Sequence, residues 1–266
     1  MYDRFNRPIN YLRISVTDKC NLRCRYCMPE EGVQLLSHRD ILSFEEITDL
    51  VKVAVGMGID KFRITGGEPL VRIDIVTLIA MIAAVDGVRD LSMTTNGIFL
   101  EELAQPLKEA GLQRVNISLD TMDPVRFSEI TRGGDISRVL RGIQAAKEAG
   151  LEPVKINCVV FKSSSETDAR DVREFCSQHA LQVRFIHQMN LESGEFSVVE
   201  GGNGGDCKHC NRLRLTANGM VKPCLFDEQE FSVREMGAEG ALVNALNSKP
   251  LNGCINSKGS FYNIGG

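Results

Sequence analysis

Apolar residues along this chain recur with two periods, and the two periods take turns. YLRISV, KFRITGG, LSMTTN, RVNISLD, VKINCVV and QVRFIHQM are short runs with β-branched content, and each predicts a strand. Between them lie FEEITDLVKVAVGMG, IDIVTLIAMIAAV, FLEELAQPLKEAG, DISRVLRGIQAAKEAG and ETDARDVREFCSQHA, whose apolar residues are spaced as on one face of a helix. Several of these end in Gly or Ala-Gly, a helix stop. Strands alternating with helices predict a parallel sheet with right-handed crossovers. The six units between residues 11 and 189 predict an α/β fold, a curved sheet or partial (β/α)6 barrel, with a doubly wound open sheet as the alternative.

The pattern breaks at Asn190. GEFSVVEGGNGGDC is rich in glycine, carries no helix period, and reads as a flexible connection. LRLTANGMVKPCLF follows, two short β runs around Asn218-Gly219, the preferred two-residue hairpin turn. VREMGAEGALVNALNSK then reads as one helix. The expected division is a barrel over 1–190 and a small C-terminal segment over 191–266.

Composition changes this picture little. Of 266 residues, 43% are apolar and 25% charged, and 31 basic against 35 acidic side chains leave a net charge of −4. Nothing in that balance advertises a nucleic-acid surface, and no apolar run approaches a membrane span or a signal segment. The expectation is a cytoplasmic protein.

The nine cysteines change it more. Cytosolic thiols stay reduced, so clustered cysteines point to metal or catalysis. Six fall into two groups, Cys20/Cys24/Cys27 and Cys207/Cys210/Cys224, while Cys158 and Cys176 read as small buried hydrophobes. Three thiolates hold three irons of a cubane 4Fe–4S cluster and leave the fourth iron open. An open iron can chelate S-adenosylmethionine, and the spacing Cys20-x3-Cys24-x2-Cys27 after a first strand, with Tyr26 inside it, resembles that of the radical SAM superfamily. Zinc would need a fourth ligand, and His38 is the only histidine nearby. One βα unit later, Thr65 to Pro69 read TGGEP, where Gly66 and Gly67 permit close backbone approach and Glu68 adds a carboxylate. Around the second triplet a zinc ribbon stays open, with His209 or Cys254 as a further ligand. Arg212 and Arg214 alternate on the strand after Cys210, so both point to one face, as suits a phosphorylated ligand.

Taken in order, YLRISVTDKCNLRCRYCMPEEG, KFRITGGEPLVR, LSMTTNG, VNISLDT, VKINCVV, CNRLRLTANGMVKPCL and the terminal FYNIGG resemble the family of molybdenum cofactor biosynthesis protein A, the GTP 3′,8-cyclases. The resemblance implies a lyase of the radical SAM type with two 4Fe–4S clusters, the second binding the purine of GTP. It implies hydrogen abstraction from ribose C3′ and attack of that carbon on guanine C8. It places Tyr26, Gly66, Gly67, Glu68, Ser118 and Met189 on S-adenosylmethionine. Arg13, Arg63, Thr94, Lys155, Arg212, Leu213 and Arg214 fall on GTP, and Arg13, Gly265 and Gly266 among the catalytic residues. It also implies an external one-electron donor and a downstream cyclic pyranopterin monophosphate synthase, and it leaves a homodimer open. Independently of the family, Arg13, Arg63 and Lys155 each sit inside a predicted parallel strand, where charge is costly unless it faces a polar cavity. Departures from the family stand at His187 and Asn190 and in the short connection after them. The competing readings are a peptide-modifying radical SAM maturase with an auxiliary cluster, and a non-enzymatic iron–sulfur or zinc module.

Overall fold

The computed structural model describes residues 1–257 and residue 264; Gly265 and Gly266 lie outside the described residues. All six expected strands are present: β1 (Tyr11–Ser15), β2 (Lys61–Thr65), β3 (Asp90–Thr95), β4 (Arg114–Ser118), β5 (Lys155–Val160) and β6 (Gln182–His187). The five expected helices follow them as α1 (Phe44–Gly56), α2 (Ile75–Ala83), α3 (Leu100–Glu109), α5 (Ile136–Glu148) and α6 (Thr167–Gln178). The sheet runs β6-β5-β4-β3-β2-β1, every neighbour parallel. A doubly wound sheet reverses direction at a switch point. Strictly sequential order does not, so this is the partial barrel.

The C-terminal segment carries the expected hairpin around Asn218-Gly219, and the hairpin also joins the barrel sheet. Its first strand, β7 (Arg212–Leu215), adds to the far side of β1 in parallel, and β8 (Met220–Lys222) and β9 (Phe231–Ser232) extend the sheet antiparallel to nine strands. Pairing between segments two hundred residues apart leaves no trace in local periodicity. The final helix, α7 (Val233–Asn247), breaks at Gly237, where φ is 72°. It was expected to run unbroken, but only glycine takes that backbone region cheaply.

One helix escaped the sequence pattern: α4 (Pro124–Thr131), started by Asp123, which accepts from the Val125 and Arg126 amides, with Pro124 in the first turn. Its far end braces the first cysteine loop. The Arg23 and Arg25 amides donate to the Thr131 and Ile130 carbonyls, and Arg132 donates to the carbonyls of Arg23 and Met28.

The core lies between the outer face of the sheet and the helices. Leu12, Ile14, Phe62, Ile64 and Ile156 meet Leu50, Leu78, Leu107 and Val139, all at most 1% exposed. Cys158 and Cys176 belong to it as apolar fillers. Among the described residues no helix is long and apolar enough to cross a membrane.

Residues 191–206 are not a loose tether. They fold back along the free edge of β6, where the Phe185 and Glu200 amides exchange hydrogen bonds with each other's carbonyls at 3.0 Å. Asn190 starts this strap, its side chain accepting from the Glu192 and Ser193 amides. Phe196 stacks on Phe226 with ring centroids 4.5 Å apart. At Gly205, with φ at 78°, a Cβ would lie 2.0 Å from the Ser197 carbonyl oxygen, so the tight turn needs glycine.

Candidate active site

A parallel sheet covered on both faces is built from nearly continuous apolar runs. Here the inner face is polar. Side chains alternate along each strand, so the residues between the core positions point inward: Arg13, Arg63, Ser92 and Arg114 in one cross-strand row, and Thr94, Asn116 and Lys155 in the next. Arg214 stands beside Arg13 on the other side. The inner face bounds two adjoining cavities.

The first cavity holds Cys20, Cys24 and Cys27 at one side and Gly66, Gly67 and Glu68 at another, with Thr94, Ser118, His187 and Met189 also on its wall. Helical geometry sets the cysteine spacing locally, since the Cys27 and Met28 amides both donate to the Cys24 carbonyl. The glycine pair serves the cysteine loop directly. The Gly67 and Glu68 amides donate to the carbonyls of Thr17 and Lys19 at 2.7 and 2.8 Å. A Cβ on Gly67 would fall 2.3 Å from the Lys19 carbonyl oxygen. The glycines were expected to admit a ligand; in the structure they first admit the neighbouring backbone.

Glu68 is buried and ties β2 to β3, accepting from the Leu70 amide, the Thr95 hydroxyl and the Asn96 amide. Burial raises its carboxyl to about 7 despite these bonds. Tyr26 donates its hydroxyl to Asp120 at 2.8 Å, so it offers the cavity its ring and backbone. Burial, then Asp120, push the Tyr26 phenol well above its usual range. Burial likewise pushes Cys27 up to about 12 and Cys24 higher still. The Thr94 hydroxyl is buried with no partner among the described residues.

The second cavity holds Cys207, Cys210 and Cys224 with Arg13, Arg63, Arg184, Arg212 and Arg214. Burial, then the Arg214 guanidinium, hold Arg13 well below its ordinary value. Burial and then Arg212 bring Arg214 to about 10. Burial and then Arg63 lower Arg184. Like charges gathered in a poorly solvated space favour an anionic occupant, whose charge offsets both the burial and the mutual repulsion. Lys249, 2% exposed, lines this cavity too and donates to the carbonyls of Arg212 and Pro223, both at 2.7 Å. Burial pushes the Cys210 thiol up, but Lys249 and Arg212 together bring it below its usual value.

Leu213 turns its side chain into the core, away from its two arginine neighbours. Lys155 stands one alternation before Asn157 on the inner face but outside the wall of either cavity. His209, a candidate zinc ligand, is instead bonded to Asp206 at 2.7 Å on the surface, and Cys254 is exposed. Among the described residues no three His, Cys, Asp or Glu side chains are gathered about a single metal ion. Both triplets are thiol-rich and border cavities, a donor set that fits iron–sulfur clusters.

Three residues that the sequence pattern did not single out also serve the site, Arg184 and Lys249 on the second cavity's wall and Arg7 behind Cys207. Arg184 carried a legible signal, a charged residue inside a predicted strand. Lys249 and Arg7 carried none, because their partners are distant carbonyls. Arg7, 5% exposed, donates to the carbonyls of Cys207, Pro250 and Leu251 and to the carboxylate of Asp3.

The sequence model of the Radical SAM superfamily matches residues 14–176, and that of Molybdenum Cofactor Synthesis C matches residues 177–258. The GTP 3′,8-cyclase of Alkaliphilus oremlandii (strain OhILAs) is 41% identical over 298 residues, covering 94% of this chain and 93% of that protein. That of Moorella thermoacetica is 44% identical over 280 residues, covering 88% and 86%. Both stretches are longer than the 266-residue chain, so these relatives carry residues with no counterpart here. Among solved structures, native anSMEcpe with bound AdoMet superposes with a TM-score of 0.64 at 18% identity, covering 91% of this chain and 81% of its own. Streptococcus suis SuiB bound to precursor peptide SuiA gives 0.67 at 17%, covering 94% and 67%. At those identities the likeness is one of fold. The chain belongs to the radical SAM superfamily and, within it, to the GTP 3′,8-cyclase family of molybdenum cofactor biosynthesis.

Proposed function

We infer that the two adjoining cavities divide the GTP 3′,8-cyclase reaction between them, S-adenosylmethionine in the first and GTP in the second. The observation that carries this is their junction. Each has its own cysteine triplet, only the second is lined by arginines, and the two share the wall formed by Asn157, Ile186 and Met189. Cys20, Cys24 and Cys27 would hold the cluster on the S-adenosylmethionine side. Cys207, Cys210 and Cys224 would hold a second cluster, which would bind the purine. The chemistry supplied by the first cluster and S-adenosylmethionine, when bound, is a one-electron cleavage giving a 5′-deoxyadenosyl radical.

The protein's own part is binding, orientation and exclusion of water. Arg13, Arg63 and Arg184 take the phosphates, with Lys155 behind them, and Arg212 and Arg214 hold the nucleotide from β7 through bidentate charge-assisted bonds. The Leu213 backbone lies between those two. Gly66, Gly67, Glu68, Tyr26, Ser118 and Met189 frame S-adenosylmethionine, and Thr94, expected on GTP, would meet the substrate with its buried hydroxyl from the first cavity's wall. Gly265 and Gly266, outside the described residues, would take part in catalysis. An external donor supplies two electrons, one for cleaving S-adenosylmethionine and one that, with a proton, closes the cyclised nucleotide radical to an isomer of GTP, and the product passes to cyclic pyranopterin monophosphate synthase.

The test is anaerobic incubation of the iron-loaded protein with GTP, S-adenosylmethionine and a reductant, followed by product analysis. The expected product is a GTP isomer in which ribose C3′ is bonded to guanine C8. In the Arg214→Ala variant GTP binding weakens and cyclisation stops, while 5′-deoxyadenosine still forms. Release of 5′-deoxyadenosine by the unaltered protein with no change in GTP would overturn the assignment of substrate.

A further inference from the structure

Three residues line both cavities: Asn157, Ile186 and Met189. Asn157 is the one with a polar side chain. It sits on β5 between Ser118 of β4, on the first cavity's wall, and Arg184 of β6, on the second's. The main chain fixes its position, since the Leu119 amide donates to its carbonyl at 3.0 Å and β5 is paired on both sides. Its neighbours Ile156 and Cys158 are fully buried on the opposite face. The carboxamide itself makes no hydrogen bond to the protein among the described residues. A half-buried amide without a protein partner is completed by ligand or water.

We propose that the Asn157 carboxamide holds the ribose hydroxyls of the substrate at the junction of the two cavities, and so selects ribonucleotide over 2′-deoxyribonucleotide. The inference rests on the reading of the two cavities given above. A reaction joining C3′ to C8 must bring the ribose to the place where a radical made in the first cavity reaches a nucleotide held in the second, and that place is the junction. Ile186 and Met189 give it apolar walls that donate nothing to a hydroxyl. A carboxamide carries a donor and an acceptor side by side, matching a vicinal diol in which one hydroxyl accepts and the other donates. A site that hydrogen-bonds a hydroxyl discriminates against the analogue lacking it, because its polar group is then left unpaired. Asn157 therefore positions the carbon that reacts, while the arginines provide most of the affinity.

The experiment measures equilibrium binding of GTP and 2′-deoxy-GTP to the iron-loaded protein and to its Asn157→Ala variant. It is paired with turnover of GTP deuterated at C3′. One neutral hydrogen bond corresponds to about a five- to tenfold preference. The unaltered protein should favour GTP by that factor, and Asn157→Ala should bind both nucleotides within about twofold of each other. The variant should still cleave S-adenosylmethionine, but its 5′-deoxyadenosine should carry less deuterium. A variant that keeps the full preference and the full deuterium transfer overturns the proposal, as does an unaltered protein that binds both nucleotides equally. If Asn157→Ala loses iron or helical signal, Asn157→Ser replaces it under the same criteria. Failure of the unaltered protein to bind GTP or cyclise it strikes the reading of the cavities; normal cyclisation with an unchanged variant strikes Asn157 alone.

Discussion

Replacing Arg7 by Met tests how the second cysteine triplet is held. The Arg7 guanidinium lies between three segments: its Nε donates to Asp3 at 2.6 Å, Nη1 to the carbonyls of Cys207 and Leu251 at 2.7 and 3.0 Å, and Nη2 to that of Pro250 at 2.7 Å. Methionine has similar length and no donor, so the substitution leaves the buried Asp3 carboxylate and three carbonyls without that partner. Breaking a buried ion pair from one side costs about 3–5 kcal/mol, against a total stability of about 5–15 kcal/mol for a domain. The loss falls beside Cys207, so iron at the second site should drop first: about half the iron should be lost with the first site still cleaving S-adenosylmethionine. The assay is iron content and urea unfolding of Arg7→Met, Asp3→Asn and the double variant. The double variant should be more stable than Arg7→Met alone, because the unpaired carboxylate is gone. Burial opposes ionisation of Asp3, but bonds from Arg7 and Phe5 outweigh it and hold the carboxyl below its ordinary value. A depressed acid stabilises above its unfolded pKa of about 3.9 and stops doing so as pH falls through the folded value. The gap between unaltered protein and Asp3→Asn should therefore close below about pH 4. Full iron and unchanged unfolding in Arg7→Met would refute the argument.

Three further outcomes are expected. Replacing Cys20, Cys24 and Cys27 together by Ala should abolish S-adenosylmethionine cleavage and leave about half the iron; zinc in the remaining site would end the two-cluster model. Gly67→Ala forces a Cβ into the Lys19 carbonyl, a backbone atom that cannot swing aside, so it should destabilise by about 1–3 kcal/mol and lower S-adenosylmethionine affinity measured by calorimetry. The Glu68 carboxyl, raised to about 7, is favoured neutral in the fold, so stability relative to Glu68→Gln should fall by about 3 kcal/mol as pH rises from about 4.5 to 7. That slope is read from urea unfolding without S-adenosylmethionine, and a flat difference across the range would remove the burial argument.

Much of the barrel was legible because strand alternation is a local property. Tyr11–Ser15 and Lys155–Val160 show core residues at every second place with Arg13 or Asn157 between them, so one apolar and one polar face can be told from the residues of a single strand. Arg184 obeys the same rule and was readable by it. The α4 helix was harder, eight residues with one narrow apolar stripe, although Asp123-Pro124 is a start signal. What the sequence withheld is long-range. Nothing near Arg7 or Lys249 indicates that their partners are carbonyls two hundred or thirty-seven residues away. The glycines of 201–205 looked like slack because what fixes them is close approach of backbone, at Gly201 and Gly202 to Val183 and Arg184 of β6 and at Gly205 to the Ser197 carbonyl across the strap's own turn.

The strap raises a question of length, since the relatives align over more residues than this chain possesses. Seven parallel strands form an open barrel whose lateral edges are β6 and, past β7, the hairpin. Any cover for the substrate cavity must reach from β6 to β7. The strap does so with three attachments: Glu200 pairs with Phe185 on β6, Gly202 lies against the Arg184 side chain, and the Asn203 carbonyl accepts from Arg212 on β7. Each attachment also positions or borders a cationic group of the cavity wall. Glu200 adds a bond to Arg173 on α6, which stacks over Phe185. Covering the gap therefore requires only the stretch from Glu200 to Arg212. A longer insertion would have to leave this path and return to it. The short connection reaches from β6 to β7 because it turns sharply at Gly201 and Gly205, where φ is 77° and 78°.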